Sequence, residues 1–87
     1  MGMQGADIMQ MQQLEQRLTQ ESTAVRELMT RIDQALQNTQ WTGPAADRFK
    51  QEWSGNFVKA LTTLSEALGQ NATAVRNRWQ AFEAAAR

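Results

Sequence analysis

The sequence predicts an all-α protein, an antiparallel hairpin of two long helices that dimerises into a four-helix bundle. Three observations predict it. Residues 7–39 contain neither proline nor glycine. Apolar side chains recur there, and again across 44–85, in steps of three, four and seven. The single proline, Pro44, falls between the two stretches. Such steps draw one stripe down a helix, whereas a strand needs sustained alternation, which this chain never shows. The 87 residues form one domain: helix one over about 7–39, a turn at 40–43, and helix two over about 44–85.

Helix one carries its stripe on Ile8, Met11, Leu14, Leu18, Val25, Leu28, Ile32 and Leu36. Glu21 and Ser22 interrupt it, so the seam there is looser or meets a polar partner. On the outer side, Glu27 and Arg31 stand in the favoured order for an i, i+4 pair, as do Glu83 and Arg87 in helix two. The four methionines Met1, Met3, Met9 and Met11 read as a soft, fraying start.

The break has a chemical logic. Proline pushes the residue before it out of the α region, so helix one ends by Gly43. Pro44 suits a first helical position, because its missing N–H would be unpaired there anyway. Gly43 or Thr42 then serves as N-cap, with Asp47 near the positive end of the helix dipole. A connection this short folds helix two back against helix one.

Helix two places Phe49, Trp53, Phe57, Leu61, Leu64, Leu68, Ala72, Val75, Trp79 and Phe82 on its stripe. Two glycines weaken it, Gly55 in "WSGNF" and Gly69 in "LGQN", each costing about 1 kcal/mol relative to alanine inside a helix. Because counting in threes and fours carries the stripe through both, one continuous and bent helix is expected. The aromatic rings need more cover than one opposing helix can supply. A second molecule is therefore expected on an interface drawn from Leu14, Leu18, Val25, Leu28, Ile32, Phe49, Trp53, Phe57, Leu61, Leu64, Leu68 and Val75. Trp41, in the turn, would cover the end of that bundle core.

Composition excludes several functions. Nine Lys and Arg balance nine Asp and Glu, which speaks against nucleic-acid binding. There is no cysteine, histidine or tyrosine, so thiolate chemistry and the usual general bases and metal ligands are missing. No catalytic residue, metal site or cofactor is expected, and the chain is not expected to be an enzyme. No apolar run reaches about 18 residues, and the N-terminus lacks the charged and apolar regions of a signal peptide.

Trp41-Thr42-Gly43, at the one break in a short helical chain, resembles the W-x-G signature of the WXG-hundred family. These are small substrates of type VII (ESX) secretion systems, related to the early secreted antigenic target of mycobacteria. The resemblance spans length, two-helix pattern, turn position and the extended "WTGPAADRF". It implies a hairpin that pairs head to tail with itself or with a sister W-x-G protein. It also implies release outside the cell without a signal peptide, from a cytoplasmic pool, through machinery that includes an ATPase. Many members carry Tyr-x-x-x-Asp/Glu near the end of the second helix. Here "WQAFE" matches with Trp79 and Glu83, tryptophan standing for tyrosine. By resemblance the export signal is therefore Trp41, Gly43, Trp79 and Glu83. The sequence ends at Arg87, short of the longer apolar tail that some members present to the ATPase, which fits a tail-less partner, a self-pairing member or a trimmed chain. Contact with a membrane surface is left open, as is a cytoplasmic helical adaptor with no role in export.

Overall fold

The computed structural model describes residues 3–86, with side chains described for 8–86. The expectations for Met1, for the side chain of Met3 and for a Glu83–Arg87 pair lie outside the described residues. The described chain is all helical. Helix α1 spans Met3–Gln37, α2 spans Pro44–Glu52, a π-helical turn covers Trp53–Phe57, and α3 runs Val58–Ala85. The last three form one unbroken second arm, which folds back along α1 as a hairpin.

Helix α1 ends slightly before the expected residue 39. Thr39 turns its hydroxyl back onto the Ala35 carbonyl, 2.6 Å away, and the Asn38 N–H closes on the Gln34 carbonyl at 3.0 Å. The Asn38 bond is the last of the α-helical pattern, whereas the Thr39 hydroxyl takes the carbonyl that the Thr39 N–H would use in a further turn, and that N–H bonds Leu36 at 3.4 Å instead. Gly43 is the N-cap of α2, Pro44 opens the helix and Asp47 lies in its first turn.

The second arm is continuous, as expected, but its stripe does not hold phase. At Trp53–Phe57 the Val58 N–H reaches back five residues to the Trp53 carbonyl, which inserts one extra residue into the turn. The buried positions before it are Ala46 and Trp53, and those after it Ser65 and Ala72. Steps of seven separate each pair, but the two sets are out of phase by one residue. The π turn absorbs that residue. Ser54, Gly55 and Asn56 are poor helix formers, so the wide turn falls where α geometry is weakest.

Small and polar side chains, not large apolar ones, lie deepest between the arms. Among the described residues the buried ones are Ser22, Ala46, Trp53, Ser65 and Ala72, and no large side chain is fully buried. The Ser22 hydroxyl donates to the Ser65 carbonyl at 2.8 Å, and the Ser65 hydroxyl donates to the Ser22 carbonyl at 2.9 Å. The interruption of the helix-one stripe thus meets a polar partner. Reciprocal bonds satisfy both hydroxyls where the helices approach closely, so burying them carries no unpaired-group penalty. The expected Glu27–Arg31 pair is not among the ion pairs of the described residues, which are Arg17–Glu21 and the inter-helix Glu15–Arg76.

The molecule is a rod of 64 × 18 × 15 Å with a radius of gyration of 19.2 Å. A globule of this length would have a radius near 12 Å. A rod two helices wide exposes much of both stripes.

Candidate interaction surfaces

At the turn, Gly43 adopts φ 110° and ψ 174°, a region that residues with a Cβ rarely enter. A Cβ there would meet nothing within 4 Å, so glycine is required by the backbone alone and not by crowding. The Trp41 carbonyl accepts a hydrogen bond from Lys50 Nζ at 3.2 Å. Its indole is exposed and stands 5.9 Å from the Phe49 ring, which in turn lies 6.5 Å from Phe57. Trp41, Phe49 and Phe57 thus form a row of rings leading from the turn onto the second arm.

The line of contact between the arms follows Glu15, Ser22 and Met29 on α1 and Val58, Ser65, Ala72 and Trp79 on α3, each set at steps of seven. Residues four places on, Arg26 and Gly69, line one groove together with Met29 and Thr62. In an antiparallel helix pair, positions with the same offset from the contact line emerge on the same side. Residues one place before it therefore share the opposite flank: Leu14, Glu21 and Leu28 on α1, and Phe57, Leu64, Asn71 and Arg78 on the second arm. The four large apolar ones, Leu14, Leu28, Phe57 and Leu64, have 49, 40, 42 and 46% of their surfaces exposed. Leu18, Val25, Ile32, Phe49, Leu61, Leu68 and Val75 are half-buried, and Trp53 is buried. Near the free end of the hairpin, Gln10, Met11, Leu14 and Phe82 line a small apolar pocket.

Trp79 is half-buried, and its indole N–H donates to Glu15 Oε1 at 2.8 Å. Arg76 Nε bonds the other oxygen, Oε2, at 2.7 Å. The Trp53 indole is held similarly, donating to Asp33 Oδ1 at 2.5 Å. Glu83 is exposed one turn beyond Trp79, and the Arg78 guanidinium lies over the Phe82 ring at 5.1 Å. Trp41 and Gly43 sit at the turn end of the rod, Trp79 and Glu83 toward the other. One chain alone does not bring the two halves of the sequence-derived signal together.

Glu15, Asp33 and Ser65 went unnoticed in the sequence. The recurrence of Ser65, Ala72 and Trp79 at sevens was a visible signal of a small-residue contact line. Nothing local marked the two carboxylates, whose partners lie on the other arm.

The Trp79 N–H, and after it Arg76, hold the Glu15 carboxyl below its ordinary value of 4.5. A depressed carboxylate contributes stability that is fully present above its unfolded pKa and is lost as pH falls through the folded value. Urea unfolding of the wild type and Glu15→Gln is therefore expected to differ by a constant amount from about pH 5.5 to 8, with the gap closing below about pH 4.5. A gap that instead changes between pH 6 and 7, roughly a histidine's range, would contradict this assignment.

Among the described residues no three His, Cys, Asp or Glu side chains gather to hold a metal ion, and no helix is long and apolar enough to cross a membrane. Comparison with family models, curated proteins and solved structures finds no match to this chain.

Proposed function

We propose that this protein is a small substrate of a type VII secretion system, released as a folded helical pair and acting through protein contacts as an effector or a partner chaperone. It acts without catalysis, cofactor or nucleic acid. Its partners are a second copy or a sister W-x-G protein, and the secretion machinery with its ATPase. The observation that carries this reading is the W-x-G turn: an exposed Trp41 and a Gly43 whose backbone excludes other residues, at the tip of a hairpin with almost no core of its own. An indole left in solvent and a glycine fixed by its φ have a purpose if the turn is read by another protein. The lack of a fully buried large side chain among the described residues supports pairing, since the exposed flank is the natural place for the missing core. In a head-to-tail pair, the turn of one chain would approach the Trp79–Glu83 end of the other, joining the two halves of the signal.

The test is the yield of protein in culture supernatant of a host that carries such a system. Trp41→Phe keeps a ring against Phe49 but removes the indole N–H, and Trp41→Ala removes both. Export is expected to fall by about tenfold or more for Trp41→Ala, the equivalent of ~1.4 kcal/mol of recognition, with the cellular level unchanged. Wild-type yield for Trp41→Ala and Gly43→Ala together would leave the turn without a signalling role and favour a cytoplasmic adaptor.

A further inference from the structure

Between the two arms, Gln40, Trp41 and Thr42 make no backbone–backbone hydrogen bond among the described residues. The bonds on either side run from the Thr39 N–H to the Leu36 carbonyl, 3.4 Å, and from the Asp47 N–H to the Gly43 carbonyl, 3.0 Å. A stretch whose peptide groups stand open to water ordinarily samples many conformations. Three features oppose that here, and all three bear on Trp41. Gly43 turns the chain at φ 110° into Pro44, whose ring fixes its own φ. The Phe49 ring stands 5.9 Å from the indole, tilted 43° against it. Lys50 Nζ donates to the Trp41 carbonyl at 3.2 Å. Phe49 and Lys50 are consecutive on α2, so one rigid element meets both the ring and the main chain of the same residue.

Lys50 is not committed elsewhere. The ion pairs of the described residues are Arg17–Glu21 and Glu15–Arg76, so its ammonium goes to the turn and not to a carboxylate. A charged donor on a carbonyl makes a stronger bond than a neutral one. The contact adds nothing to the seam between the arms: Lys50 is exposed and takes no part in the Ser22–Ser65 bonds or the two indole–carboxylate bonds.

We propose that Lys50 is a positioning residue for the W-x-G turn, holding Trp41 in one conformation against Phe49 before any partner protein arrives. This rests on the reading that a partner recognises Trp41, and it says how the turn is made recognisable. A loop that must become ordered on binding loses part of its interaction energy to that ordering. Where only a fraction of molecules present the indole correctly, apparent affinity falls by that fraction. Lys50 raises the fraction through the Trp41 main chain, which leaves the exposed part of the ring free for contact.

The test compares Lys50→Met, which keeps an apolar stem and removes the donor, with Lys50→Arg, which restores one. Local order is read from the heteronuclear NOE of the Trp41 and Thr42 amides in the full chain. Export is read as yield in the culture supernatant of a host with a type VII system. Lys50→Met is expected to lower both NOE values toward those of an unstructured segment and to leave the urea midpoint unchanged. Its export is expected to fall about fivefold. Lys50→Arg is expected to return order and export to wild type. A merely structural role would instead move the urea midpoint together with export.

Turn amides as ordered in Lys50→Met as in the wild type would overturn the proposal, whatever the export yield. Loosened amides with undiminished export, in a host that retains Trp41→Ala inside the cell, would also overturn it, because the turn would then be read without being preformed. If neither Lys50→Met nor Trp41→Ala alters export, the reading of the turn as a signal falls, and the role of Lys50 falls with it. A loss in Lys50→Met that Lys50→Arg does not restore would overturn the donor bond as its cause.

Discussion

Deleting Gly55 is expected to leave the protein folded, while deleting Thr63 unfolds it. Removing one residue from a helix rotates everything beyond it by about 100°, which ordinarily carries the contact line away from its partner. Within the π turn the effect reverses. From Trp53 to Val58 the contact line takes a step of five, where the rest of the arm steps by three or four. Taking Gly55 out makes that step four, converts the π turn to α geometry and keeps Ser65, Ala72 and Trp79 against α1. It also removes a glycine that costs about 1 kcal/mol in a helix. Stability in urea should therefore hold or rise. Deleting Thr63 would swing Ser65 away from Ser22 and Trp79 away from Glu15, breaking the bonds that join the arms. A loss above about 4 kcal/mol is expected, enough to unfold a small domain. Helicity and urea midpoints of the two deletions decide the matter, and equal damage from both would contradict the account of the π turn.

The second large effect is expected at Leu28. If two copies meet there, Leu28→Glu removes a buried leucine from each chain and brings two carboxylates together. Fully burying a leucine is worth about 1.5–3 kcal/mol; with 40% of Leu28 exposed in the hairpin, losing two weakens the pair by about tenfold, and the facing carboxylates weaken it further. Helix content should then become strongly concentration-dependent, because the single hairpin buries only Ala46, Trp53 and Ala72 among its described apolar residues. Thr63→Glu, on the outer side of the second arm, should leave association unchanged. If dilution series for the wild type and Leu28→Glu superimpose, the flank is not where the molecules meet.

Much of the architecture was legible in the sequence. The break at Gly43-Pro44 is written in residue types whose backbone limits are strict, and the two stripes follow from helical geometry. The π turn was not legible for a particular reason. Phe49, Trp53, Phe57 and Leu61 are spaced evenly by four, so counting reports an unbroken phase, although Phe57 faces out and Val58 takes the inward place. Hydrophobicity also misdirected the reading of the seam. The arms meet at serine, alanine and two indoles held by carboxylates, while several of the large aliphatic residues lie beside that line. Pairings such as Glu15 with Trp79 depend on how the arms are aligned, and that alignment is fixed by close approach at Ser22 and Ser65, which no single-helix pattern encodes.

The slender outline of the molecule, 64 Å long and 18 × 15 Å across, has a bearing on passage through any narrow conduit. Such a body enters end-on or not at all. Two chains lying in opposite directions would present one bend and one pair of helix ends at either extremity, so the particle would have no leading or trailing end to confuse.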